Sequence, residues 1–134
     1  MVKMSVVYEG KLHCNLIHEP SHSEIATDAP LDNQGKGEKF SPTDLVGAAL
    51  GSCVMTTMAI VAERDGVSMA GARAELEKEM NPQPRRIRSL RMKITLPATI
   101  PADYRKKLER VAEHCPVHAS LHPDVDAGLT FVYV

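Results

Sequence analysis

Apolar and polar positions alternate at the start of the chain. Val2, Met4, Val6 and Tyr8 fall on one face at period two, the pattern of a β-strand. Glu9-Gly10 supplies a turn, and Leu12, Cys14 and Leu16 then alternate with Lys11, His13 and Asn15 in a second strand. Ser23 to Thr27 reads as a third, short strand. Asp28 to Lys39 is rich in Asp, Asn, Gly and Pro and reads as a loop.

The period then changes. Ser41-Pro42-Thr43-Asp44 is a helix start: Ser41 can accept from the Asp44 N–H, Pro42 fits the first helical position, and Asp44 opposes the helix dipole. The helix should run to Arg64 or Asp65 and stop at Gly66, a length of about 35 Å. Leu45 to Ala62 carries no charge and is apolar on almost every side. A membrane span needs about 20 apolar residues. This run is slightly short and is interrupted by Gly47, Gly51, Ser52, Thr56 and Thr57, so we read a buried core helix and no membrane association. The rest of the chain is barely enough to wrap such a helix, which predicts a second subunit.

Met69 to Met80 and Ile87 to Leu96 read as a hairpin joined through Asn81-Pro82-Gln83-Pro84. Ala72, Ala74, Leu76 and Met80 share one face, and Arg73, Glu75, Glu77 and Glu79 the other. In the second strand Leu90, Met92, Ile94 and Leu96 face the core, while Arg91, Lys93 and Thr95 face out. The acidic row then sits opposite the basic row, which accounts for the Arg85–Lys93 basic cluster without nucleic acid. Pro101 opens a helix with Tyr104, Leu108, Val111, Ala112 and Cys115 on one face. Pro116 interrupts it and opens a new turn, Val117 to Leu121. Gly128 precedes a last strand, Leu129 to Val134. Strands, long helix, hairpin, helix and strand make an α+β fold.

Length fits a single domain, residues 1–134. The net charge of −1 gives no basic field for nucleic acid or an anionic membrane, and 4% aromatics with no Trp leave no base-stacking platform. Three cysteines are too few for a disulfide scaffold. The N-terminus lacks the apolar block of a signal peptide. The expected location is cytoplasmic, where thiols stay reduced unless they are working.

The candidate chemistry lies in those cysteines. Cys53 sits mid-helix between Ser52 and Val54, where a small buried hydrophobe is the ordinary role of a free Cys. Cys14 lies in a strand and belongs with the core. Cys115 precedes Pro116, so it can cap the new turn, where a thiolate would feel the positive helix end. By position alone Cys115 is the more ionised thiol. Two buried-face cysteines on separate helices can form a redox pair if the helices pack together. His114, His118 and His122 recur every four residues, but Pro116 breaks their register and no carboxylate–His motif accompanies them. No metal or cofactor site is read.

Phe40-Ser41-Pro42-Thr43-Asp44-Leu45-Val46-Gly47-Ala48-Ala49-Leu50-Gly51-Ser52-Cys53 resembles the central-helix signature of the OsmC/Ohr family, the osmotically inducible protein C and organic hydroperoxide resistance proteins. His114-Cys115-Pro116-Val117-His118 resembles its second cysteine motif, and the order of elements fits along essentially the whole chain. The resemblance implies an OsmC-like fold, antiparallel sheets around a long buried central helix, in an intertwined homodimer. It also implies a thiol peroxidase site: Cys53 attacks the peroxide and becomes a sulfenic acid, Cys115 resolves it as a disulfide, and an external thiol reductant resets the pair.

Two departures place the chain on the divergent OsmC-like branch. Family peroxidases carry a Glu where Thr43 stands, and one helical step of about 100° turns the adjacent Asp44 elsewhere. They also carry an early Arg beside the thiolate, whereas no Arg precedes Arg64 here; Lys11, Lys36 and Lys39 are the early cations. The leading expectation is a cysteine-based peroxidase for organic hydroperoxides. The alternative is a non-catalytic protein that binds a small hydrophobic ligand or senses redox state.

Overall fold

The computed structural model describes all of residues 1–134. Its elements are β1 (Met4–Tyr8), β2 (His13–His18), β3 (Ser23–Asp28), α1 (Pro42–Arg64), β4 (Arg73–Pro82), β5 (Arg85–Leu96), α2 (Arg105–Ala112), α3 (Pro116–Ser120) and β6 (Leu129–Tyr133). The fold is α+β as expected. The chain forms two compact units, Met1–Val46 and Gly47–Val134, with the division inside α1.

The first unit is an antiparallel β1-β2-β3 meander. Its first turn runs through left-handed Gly10 (φ +85°), Lys11 (+54°) and Leu12 (+60°). Leu12 therefore leaves the strand, and β2 begins at His13. Met4, Val6 and Tyr8 share a face with Cys14, Leu16 and Ile25 by register. That face is uncovered within the chain, with Met4 70% and Val6 65% exposed. At the far end of the β2–β3 ladder, the Asp28 carboxylate lies 2.5 Å from His13 Nδ1. The Asp28 N–H donates to the Phe40 carbonyl (3.1 Å), which closes the intervening loop just before α1.

Helix α1 begins with a reciprocal capping box. Ser41 Oγ accepts from the Asp44 N–H at 3.1 Å, and Asp44 Oδ2 accepts from the Ser41 N–H at 2.9 Å. It ends in a Schellman motif: the Val67 N–H donates to Ala62 O (2.8 Å), the Gly66 N–H to Glu63 O (3.1 Å), and Gly66 takes φ +71°.

In the second unit α1 lies on the β4–β5 face. Gly47 and Gly51 face Leu76, Leu90 and Met92, the methyl ends of which stand 3.0–4.0 Å from where a Cβ would be. The buried stripe is Gly47, Leu50, Val54, Met58 and Ala62, at spacings of three and four. The expectation of burial on nearly all sides is corrected for the single chain: Ala48, Ala49, Ser52, Thr56 and Ile60 are exposed, Ile60 by 61%. Three strands cover only one flank of a cylinder. By length and composition alone α1 is also apolar enough to cross a membrane.

The hairpin has the expected register, with Glu75 opposite Lys93 and Glu77 opposite Arg91. Leu90, Met92, Ile94 and Leu96 are buried beneath α1. Two differences stand out. Thr95, expected outside, is 4% exposed; it is paired on both sides, with Arg73 and Val132, in the central strand. The sheet is not wholly antiparallel either: β6 pairs parallel to β5. The intervening α2 and α3 carry the chain back before it re-enters the sheet, and such a crossover produces a parallel neighbour.

Helix α2 starts at Arg105, four residues beyond the expected Pro101. A turn closed by the Tyr104 N–H on Pro101 O (2.9 Å) precedes it. The Arg105 guanidinium holds that turn through the carbonyls of Ile100 (3.2 Å) and Ala98 (3.0 Å). The same group stacks 4.0 Å over the Tyr133 ring, and Tyr133 Oη donates to Glu109 Oε1 at 2.9 Å. Burial, with the Glu109 carboxylate second, pushes the Tyr133 hydroxyl up to about 12.

Candidate active site

Two contacts fix where α2 runs. At one end Tyr104 Oη and Lys107 Nζ both donate to Asp65 Oδ2, at 2.8 and 2.6 Å, just past the end of α1. At the other, the thiol of Cys115 lies beside that of Cys53. Cys53 to Asp65 spans about 18 Å of helix, and α2 with the turn after it runs between these two ties. The second helix therefore lies antiparallel along α1, its start tied to the end of α1 and its far end beside Cys53. Leu108 and Ala112, both fully buried, fill the interval.

Cys53 is half-buried, one helical step to the side of the α1 stripe, and Cys115 is completely buried. Both are free thiols. Cys115 caps α3: its φ/ψ of −78°/152° is extended, Pro116 occupies the first helical position, and Cys115 Sγ accepts from the His118 N–H at 3.3 Å.

That cap does not make Cys115 an acidic thiol, contrary to what its position suggests. Burial raises its pKa above the ordinary value and is the largest influence; the His118 N–H pulls it down, and the Cys53 thiol alongside raises it again. One weak hydrogen bond at a five-residue helix does not offset the loss of water around a fully buried sulfur. Cys115 therefore remains a thiol.

The other candidates lie elsewhere. Cys14 sits in β2, opposite Tyr8 and Thr27. The three histidines do not converge: His114 Nδ1 meets Arg110 O (2.7 Å), His118 serves Cys115 through its backbone, and His122 Nδ1 accepts from the Asp124 N–H (3.1 Å). Thr43 Oγ1 lies 3.2 Å from Ser41 Oγ, and Asp44 is engaged in the cap. The Glu of the peroxidase pattern is thus replaced by residues occupied with starting α1. Sequence reasoning placed Tyr104 on the apolar face but did not anticipate the Asp65–Tyr104–Lys107 tie, which aligns the helices; Asp65 and Lys107 are charged and surface-lying, the usual mark of residues without a role.

The chain belongs to the OsmC family of OsmC-like proteins, whose family model matches residues 35–130. Among solved structures it is similar to an osmotic stress induced and detoxification response protein from Psychrobacter arcticus 273-4, at 40% identity and TM-score 0.92, over 98% of this chain and 96% of that one. It shares its fold with an OsmC-like protein from Mycoplasma pneumoniae (15% identity, TM-score 0.83, 100% and 97% covered). The same holds for the organic hydroperoxide resistance protein OhrB of Bacillus subtilis (14%, 0.70, 98% and 97%). No curated protein sequence matches.

Proposed function

We propose that this protein is a cytoplasmic, homodimeric thiol peroxidase that reduces organic hydroperoxides. The observation that carries the reading is the Cys53–Cys115 pair, two free thiols side by side, one half-buried and one buried. The Cys53 thiolate attacks the terminal peroxide oxygen; the O–O bond breaks, the alcohol leaves as alkoxide and takes a proton, and Cys53 becomes a sulfenic acid. The Cys115 thiol displaces that hydroxyl as water and forms the disulfide. Two equivalents of an external thiol then return both cysteines to thiols and leave as a disulfide. The family supports this reading, as do the hydroperoxide resistance proteins that share the fold. The dimer is supported by the apolar surface left on α1 and on the β1–β2–β3 face.

The test is steady-state consumption of cumene hydroperoxide with dithiothreitol. Cys53→Ser should abolish turnover, Cys115→Ser should slow it because the sulfenic acid then depends on the external thiol alone, and Cys14→Ser should leave it intact. Turnover undiminished in Cys53→Ser would overturn the assignment. Ligand binding without peroxide consumption would favour the non-catalytic reading, to which Thr43 and the engaged Asp44 lend weight.

A further inference from the structure

Resting on that reading, we propose that the reductant attacks the oxidised pair only at Cys53, with Cys115 as the leaving sulfur. Thiol–disulfide exchange requires the incoming thiolate to reach one sulfur along the S–S axis, on the side away from the other. Cys115 is completely buried in the single chain, whereas Cys53 is half-buried at the edge of the α1 stripe. Assembly into a dimer can add cover but does not uncover Cys115, so the closed side of the pair is set by this chain.

The leaving side is prepared by α3. As the S–S bond breaks, its electron pair goes to Cys115 Sγ, which already accepts the His118 N–H at 3.3 Å and is favoured as an anion by the Val117 amide as well. Burial works in the opposite sense, since a raised pKa makes a poorer leaving group. The amides offset part of that, and access decides the rest. The departing thiolate then takes a proton and returns to the resting thiol. The reductant is left in a mixed disulfide on Cys53, which a second thiolate attacks at the reductant's sulfur to free Cys53.

This asymmetry assigns Cys53 three events: peroxide attack, disulfide closure and capture of the reductant. All external chemistry enters through one sulfur, and Cys115 is enclosed in the resting thiol form. A reductant is selected by the surroundings of Cys53 and not by those of Cys115.

The experiment uses full-length Cys14→Ser protein oxidised with diamide, so that it runs whether or not peroxide is a substrate. 2-Mercaptoethanol is added and the reaction is quenched with acid within the first turnover. Trypsin separates the two sulfurs into Phe40–Arg64 and Val111–Val134. The mercaptoethanol adduct is expected on Phe40–Arg64 by at least about tenfold, the difference between an open and a closed sulfur. Adduct on Val111–Val134 to a comparable extent, or failure of diamide to close the pair, overturns the proposal. If re-closure leaves too little adduct to map, single-cysteine proteins decide. In a Cys14→Ser background, 2-hydroxyethyl disulfide should label Cys53 in Cys115→Ser at least about tenfold faster than Cys115 in Cys53→Ser. Equal rates would overturn it. Correct labelling with no peroxide consumption would instead refute the peroxidase reading alone.

Discussion

Gly47 and Gly51 lie one turn apart on the buried side of α1, and alanine should have opposite effects at the two. Each Gly→Ala gains about 0.8–1 kcal/mol of helix propensity. At Gly51 the new Cβ would meet Met92 Cε at 3.8 Å and Leu76 Cδ1 at 4.0 Å, ordinary contacts. Gly51→Ala should therefore stabilise by about 1 kcal/mol. At Gly47 the Cβ would stand 3.0 Å from Leu76 Cδ2 and 3.3 Å from Leu90 Cδ2, inside the carbon–carbon optimum of about 3.5–4.0 Å. Leu76 is half-buried and can turn aside, but Leu90 is fully buried and cannot. Overpacking of this kind costs about 1–3 kcal/mol, so Gly47→Ala should fall between neutral and about 2 kcal/mol destabilising once the propensity gain is included. The assay is urea unfolding at one fixed protein concentration, with the midpoints compared at unchanged m. A Gly47→Ala protein as stable as Gly51→Ala would mean that α1 is not seated on Leu76 and Leu90 as described.

Ser41→Ala removes the acceptor for the Asp44 N–H and should cost about 1 kcal/mol, read as a lower urea midpoint; Ser41→Asn should recover most of it, and an unchanged midpoint would contradict the capping box. The pH dependence of stability should also carry a mark of Tyr133. Its hydroxyl is raised from 10 to about 12 in the folded protein, so its contribution is fully present below pH 10 and is lost as pH rises from 10 towards 12. Tyr133→Phe should lose less stability than the wild type across that window, and parallel profiles would refute the raised hydroxyl and the burial that chiefly causes it.

What could be read from the sequence was chiefly local. Ser41 through Asp44 and Gly66 mark both ends of α1 because caps are made by neighbouring residues. The pairing of Glu75 and Glu77 with Lys93 and Arg91 follows from alternation within one hairpin. Cys115 as the α3 cap follows from the Pro116 beside it. What was not legible depends on distant partners. Thr95 is a polar residue in an outward register, and only the strands on either side of it determine its burial. The acidity of Cys115 was misjudged because a helix end is visible in sequence and the removal of water from a sulfur is not. The meeting of Cys53 and Cys115 required α2 to lie antiparallel along α1, and that alignment is held by Tyr104 with Asp65 and Lys107, two residues that no periodicity singles out.

The central claim is that Cys53 and Cys115 act as one redox pair on peroxide. It is tested most directly by titrating the reduced protein with cumene hydroperoxide and counting free thiols against peroxide consumed. One equivalent of peroxide should remove two thiols, and peptide mapping should find Phe40–Arg64 joined to Val111–Val134 while Cys14 stays free. Thiols that survive excess peroxide, or a loss that falls on Cys14 and leaves Cys53 and Cys115 reduced, would contradict it.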